Sequence, residues 1–131
     1  MQEKVIDSEM HGFRDVFFSK GWRVAYADYN PLGNDIAAIH KIEKHLETEE
    51  VFYLLKGSVC LVTAGQGEAI GPLICHYLKE GTLYVVDKGE WHVGVFHPGS
   101  AVLIVENEAE SLSNSYELCS KDRESLKKIF T

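Results

Sequence analysis

The chain has few prolines, few cysteines, no long apolar run and no surplus of positive charge, and each shortage excludes a class of protein. Three prolines in 131 residues, beside 11 glycines, are too few for a proline-rich linker, and 45% hydrophobic residues are too many for a disordered chain. Cys60, Cys75 and Cys119 are an odd count without a CxxC pair. They read as free, structural thiols in a reducing cytosol rather than as a disulfide framework. The longest strongly apolar runs, such as Ala101-Val-Leu-Ile-Val105, fall far short of the about 20 residues that cross a bilayer as a helix. Residues 1–10 are charged and lack an apolar stretch, so no secretory signal is expected there. Thirteen Lys and Arg against 20 Asp and Glu give a net charge of −7, which repels a phosphate backbone or an anionic membrane. The expectation is a cytoplasmic protein whose partner is a small molecule, with no nucleic acid and no membrane involved.

What is present is a series of short runs rich in Val, Ile, Tyr, Phe and Trp. Residues 13–18, 22–29, 36–45, 50–55, 58–63, 73–78, 83–87, 91–96 and 101–106 each read as a strand. Turn signals separate them: Asn30-Pro31-Leu-Gly33-Asn34, Lys56-Gly57, Ala64-Gly65-Gln-Gly67, Glu80-Gly81, Lys88-Gly89 and His97-Pro98-Gly99. Many short strands at this spacing predict an all-β barrel or sandwich in one domain, residues 1–131. At the C-terminus Ser120 is placed to cap a short helix whose Leu126, Ile129 and Phe130 fall at i, i+3 and i+4. That helix would lie over a barrel end or a neighbouring subunit. Residues 1–20, of mixed polarity, would pair with an edge strand or exchange with a partner chain.

The chemistry concentrates in two stretches, Glu43-Lys-His45-(four)-Glu50-(six)-Gly57 and Gly81-(five)-Asp87-Lys-Gly89-Glu-Trp-His92. Side chains alternate along a strand, so Glu43 and His45 share a face with Lys41, and Glu50 shares one with Phe52 and Leu54. His92 shares its face with Gly94, whose missing side chain leaves room for a ligand. Glu43, His45, Glu50 and His92 would then converge from three strands. Glu43 alone also reads as a solvated strand residue, and His45 with Glu50 as a hydrogen-bonded pair at a strand end. His11, His40, His76 and His97 read as surface or structural. No G-x-S-x-G, P-loop, G-x-G-x-x-G or H-E-x-x-H pattern is present to support another chemistry.

These two stretches resemble the paired motifs of the cupin superfamily, G-(five)-H-x-H-(three or four)-E-(six)-G and G-(five)-P-x-G-(two)-H-(three)-N. The resemblance spans about residues 36–106 and implies a jelly-roll β-barrel with a short C-terminal helix. It puts His45, Glu50 and His92 on the metal-ligand positions of the family. Three departures stand out: Glu43 replaces the first metal histidine, Asp87 the proline and Phe96 the asparagine. Two histidines and two carboxylates suit Zn, Mn or Fe. Glu43 is expected either as a fourth ligand or as a general acid or base. A narrower resemblance joins Glu43-Lys44-His45 and Gly89-Glu90-Trp91-His92 to the ureidoglycolate lyases, small cupin-like enzymes.

The resulting expectation is a homodimeric lyase, isomerase or hydrolase acting on a small polar carboxylate metabolite, with Glu43, His45 and His92 as catalytic residues. A non-catalytic ligand-binding or sensory cupin is the alternative. A dimer is expected because long edge strands and a lone amphipathic helix leave apolar surface to cover.

Overall fold

The sharpest reversal in the chain is made by Lys56-Gly57. Gly57 sits at φ +78°, and a Cβ there would lie 2.6 Å from the Ser100 Cα, so only glycine allows this approach. Ser100 then closes the turn, its Oγ accepting from the Ser58 N–H at 2.7 Å and donating to the Ser58 carbonyl at 2.9 Å. Ten strands lie among the described residues. The computed structural model describes residues 1–107 and 113–130. Its elements are β1 (Phe13–Ser19), β2 (Trp22–Asp28), β3 (Lys41–His45), β4 (Glu50–Lys56), β5 (Val59–Thr63), β6 (Ile74–Tyr77), β7 (Leu83–Val86), β8 (His92–Phe96), β9 (Ala101–Asn107), β10 (Ser113–Glu117) and α1 (Ser120–Ile129).

The strands form two five-stranded sheets with the orders β1-β2-β9-β4-β7 and β10-β3-β8-β5-β6, and every pairing is antiparallel. Among the described residues no pairing joins one sheet to the other. The expected barrel is therefore a jelly-roll sandwich of two open sheets. Its interior is an apolar cluster that includes Ala25, Phe52, Leu61, Phe96, Val102 and Ile104. A second cluster lies on the outer side of the β3-containing sheet, where Ile42, Val62, Trp91 and Val95 are covered by Leu126 of α1. The helix thus packs on its own chain, over a sheet face rather than a barrel end. Cys119 caps it instead of Ser120, with Asp122 accepting from the Cys119 N–H at 3.1 Å.

Three further expectations are corrected. Residues 36–38 form a turn and 39–40 have no regular structure, not the first half of a strand, because the short polar side chains just before them bond the backbone. Asp35 accepts from the Ala37 N–H at 3.0 Å and from the Tyr29 hydroxyl at 2.7 Å, and Asn34 accepts from the Asn30 N–H at 2.7 Å. Strand β10 escapes the pattern because Ser113-Asn-Ser-Tyr-Glu117 has no apolar alternation and is exposed throughout; pairing with β3 makes it a strand. Cys60 and Cys75, on neighbouring strands with Cα atoms 5.9 Å apart, are joined as a disulfide, and only Cys119 is a free thiol. The thiol argument for a reducing compartment falls with that pairing. The N-terminal segment pairs within the chain: β1 lies on β2, and Arg14 reaches the Asp28 carboxylate at 2.7 Å and the Asp7 carbonyl at 2.8 Å. Among the described residues no helix is long and apolar enough to cross a membrane.

Candidate functional site

Alternation along β4 sends Glu50 and Phe52 into the space between the sheets, and alternation along β3 sends Glu43 and His45 in from the other side. His92 opens β8 as the cross-strand partner of Glu43. The result is a cavity of about 430 Å³ between the sheets. At its floor the His92 Nε2 is 3.0 Å from the Glu50 Oε1, and the His45 Nε2 is 3.8 Å from the same oxygen. One donor atom from each of His45, Glu50 and His92 lies within 4.8 Å of the other two. The cluster is sunk in the molecule, with Glu50 at 6% exposure and His92 at 7%.

A backbone carbonyl sets the ring of His92. The Nδ1 lies 2.9 Å from the Glu90 oxygen, and since a carbonyl only accepts, Nδ1 carries hydrogen and Nε2 faces the cavity. This is the orientation of a histidine that ligates through Nε2 with its other nitrogen held in place. Burial by itself would lower the basicity of His92, but the hydrogen bond and charge of Glu50 outweigh it and hold its pKa above the ordinary value. Burial likewise pushes Glu50 up, and the hydrogen bond and charge of His92, aided by His45, pull it below the usual carboxylate range. The His45 Nδ1 is buried without a hydrogen-bond partner among the described residues.

Sequence reasoning missed two members of the site. Glu106 of β9 is the cross-strand partner of Glu50, and Arg23 of β2 is the partner of Glu106, so the three stand in one row across the inner face of a single sheet. Arg23 donates through Nε to the Glu106 Oε1 at 2.9 Å and makes a second bond from its outer nitrogen to the same oxygen; it also reaches Asp15 at 3.4 Å. The Glu106 Oε2 is 4.0 Å from the His45 Nε2. Burial, then the charge of Glu50 beside it, raise the Glu106 carboxyl from 4.5 to about 7 against the pull of Arg23. The signal was available: Glu106 ends the apolar run of β9 on the face shared by Val102 and Ile104, where a carboxylate is costly without a partner.

Glu43 lines the same cavity but stands outside the cluster. Its side chain is 43% exposed and turns to Lys41, 3.5 Å away. His40, read from the sequence as a surface residue, is exposed yet also lines the cavity. His11 and His76 lie outside it, bonded to Asp28 at 3.3 Å and Thr63 at 2.9 Å, and His97 stacks on Phe130 with ring centres 4.5 Å apart. Phe96, in place of the asparagine of the motif, is buried in the interior core and forms part of the cavity wall with Phe52 and Ile104.

No protein-family model matches the chain, and no curated protein does. Solved structures match its fold. The polyketide cyclase RemF from Streptomyces resistomycificus aligns over 97% of this chain and 94% of its own, at 18% identity and a TM-score of 0.59. A protein with a double-stranded β-helix domain from Klebsiella pneumoniae aligns over 87% and 84%, at 16% identity and 0.57. A protein containing a cupin-2 domain from Shewanella frigidimarina aligns over 76% and 83%, at 18% identity and 0.54. Ten strands in two facing antiparallel sheets, with the histidines of both motifs turned into the space between them, give this chain the cupin fold.

Proposed function

We propose that this chain is a cupin enzyme that holds a divalent cation through His45, Glu50 and His92 and acts on a small molecule in the cavity above them. The observation that carries the reading is the cluster itself, two imidazoles and a carboxylate with donor atoms within 4.8 Å in a buried floor. Two nitrogens and one oxygen on one side of a cation, with open positions toward a cavity, suit Fe, Mn or Zn. When bound, such a cation polarises a substrate oxygen or lowers the pKa of bound water.

The chain's own residues supply the rest. Glu106, with its carboxyl near 7, is a group that holds or releases a proton at neutral pH. Arg23 keeps it in place. Lys41, half exposed beside Glu43, is the cation met by a substrate carboxylate entering the cavity, and Glu43 is the acid or base nearest that end. Phe52, Phe96 and Ile104 give the cavity apolar walls, which hold the body of the substrate and exclude water. A lyase, isomerase or hydrolase working on a carboxylate metabolite, of the ureidoglycolate-lyase kind, uses this set. The polyketide cyclase that aligns over nearly all of both chains supports an enzyme rather than a passive binder.

A second reading, a non-catalytic ligand-binding or sensory cupin, draws on the His92–Glu50 and Arg23–Glu106 pairs, which balance the charge of the floor without a cation. Titration of chelator-stripped protein with Mn²⁺, Fe²⁺ and Zn²⁺ by calorimetry, beside Glu50→Gln, decides between them. One saturable site lost in the variant supports the enzyme. Heat no greater in the native protein than in Glu50→Gln removes the metal reading.

A further inference from the structure

Cross-strand register arranges the inner face of the β1-β2-β9-β4-β7 sheet in rows. The floor row is Arg23, Glu106 and Glu50, every member ionisable. The next row, about 6.8 Å along the strands, is Ala25, Ile104 and Phe52, without a polar side chain. On the facing sheet Gly94 stands two residues past His92 and on the same side of β8. A Cβ on Gly94 would lie 3.1 Å from the Phe96 Cε1, so the Phe96 ring folds back across the bare glycine and makes a flat aromatic wall there. Phe52 belongs to the same core from the other sheet, its ring edge-on to His92 with centres 6.3 Å apart. Phe52, Gly94, Phe96 and Ile104 all line the cavity. Lys41, with its half-exposed amine, lies beyond Glu43 on the same face of β3 and lines it too.

We propose that the ligand of this cavity is an aromatic carboxylate of about two fused rings, with its ring system between Phe96 and Phe52 and its carboxylate toward Lys41. The proposal rests on the cavity above His45, Glu50 and His92 being the substrate site, and it narrows the substrate from a small polar acid to a ring-bearing one. Three observations favour the ring. The first is size. A cavity of about 430 Å³ equals the liquid volume of about 14 waters and falls within the range that holds drug-sized ligands. An acid of about six or seven non-hydrogen atoms would leave roughly half of it to solvent.

The second observation is what that solvent would meet. A confined water needs two to four polar partners, and the Ala25–Ile104–Phe52 row with Gly94 opposite has no polar side chain to give it one. An apolar body is the better occupant of this level. The third is shape. Phe96 stands where the motif has asparagine, so an aromatic face replaces an amide that would have offered hydrogen bonds. Rings pair with rings in offset or edge-on geometry, and both geometries are open to a flat body beside Phe96 and Phe52. A flexible aliphatic chain gains no such pairing and loses more conformational freedom on binding.

Calorimetric titration of the full chain with 2-naphthoate, octanoate and malate tests the class, with chelator present so that a bound cation adds nothing. 2-Naphthoate is expected to bind at one site about 100-fold tighter than malate, through the apolar area it buries. It is expected to bind about 10-fold tighter than octanoate, the weight of one aromatic pair. Gly94→Val, which puts a branched side chain where the Phe96 ring lies, is expected to weaken 2-naphthoate about 10-fold or more while keeping the native circular dichroism. Malate or octanoate binding as tightly as 2-naphthoate, or 2-naphthoate binding undiminished in Gly94→Val, overturns the proposal. Should the variant fail to fold, nuclear Overhauser contacts from the naphthoate ring protons to Phe52 and Phe96 of the native protein replace it, and their absence is the overturning result. Because no cation takes part, a failed metal titration leaves this outcome standing, and a failure here leaves the metal reading standing.

Discussion

His92 and Glu50 meet across the gap between the two sheets, Nε2 to Oε1 at 3.0 Å, each buried and each shifting the other's proton affinity toward the charged form. This contact is both a tie between the sheets and two thirds of the side-chain set proposed to hold a cation. Removing either side chain has consequences for stability and for cation affinity that can be measured separately.

For Glu50→Ala, the affinity for Mn²⁺ or Zn²⁺ should fall by more than the roughly 100-fold that follows loss of a hydrogen bond supporting a ligand, because the ligand itself is gone. Calorimetric titration of stripped protein reads this directly. Affinity within a factor of three of native protein would remove Glu50 from the cation site.

The pH dependence of the metal-free protein follows from three groups. Glu106 has its pKa raised from 4.5 to about 7, so the folded state keeps a proton the unfolded state has shed, and stability falls as pH climbs between those values. His92 is raised above 6.5, so its contribution is whole below that pH and is lost as pH rises through its folded value. Glu50 is lowered from 4.5, so its contribution holds above that pH and disappears as pH falls through its folded value. Calorimetry should therefore find a higher Tm near pH 5.5 than near pH 8. An equal or lower Tm near pH 5.5 contradicts the assigned shifts.

Most of the frame was legible from residue pattern. Apolar runs between turn signals located nine of the ten strands because each buries one or both faces. The convergence of His45, Glu50 and His92 was legible as one of the open readings, because side-chain alternation and the motif spacing put them on strand faces that can meet. Strand β10 was not legible, since its exposed polar side chains record nothing of the β3 edge it pairs with. Nor was the Arg23–Glu106–Glu50 row, whose members are far apart in the chain and meet only through the β2-β9-β4 order. The Cys60–Cys75 pairing was missed for the same reason, being set by β5 lying beside β6.

That row predicts an asymmetric pair of variants. Arg23→Met leaves the Glu106 carboxylate buried without its cation and should cost about 3 kcal/mol in denaturant unfolding near pH 8. The cost should shrink near pH 5.5, where Glu106 is protonated. Adding Glu106→Gln should recover much of the loss near pH 8. A single variant whose cost ignores pH would show that Arg23 acts through packing alone.

The motif glycines should separate by what surrounds them. Gly81 has φ +71° with nothing within 4 Å of a built Cβ, so Gly81→Ala should cost only the roughly 1–2 kcal/mol of a left-handed backbone. Gly57 adds a collision with Ser100, so Gly57→Ala should lose about 4 kcal/mol or fail to fold. Equal costs would mean that the Gly57–Ser100 approach is not maintained in solution.

Glu43 is the position where this chain departs from the histidine of the motif, and two substitutions there assign its role. Placed 3.5 Å from Lys41 and outside the cluster, it should act on the substrate rather than the cation. Both Glu43→Gln and Glu43→His should then keep cation affinity at the native value. On the substrate that metal-loaded protein turns over, each should lower kcat by about 100-fold or more, the usual weight of a general acid or base. A ligand role gives the opposite pattern: Glu43→Gln weakens the cation and Glu43→His, restoring a nitrogen donor, keeps or tightens it. If affinity and turnover are both native in both variants, Glu43 is a solvated strand residue, and the working site is His45, Glu50 and His92 with Glu106 behind them.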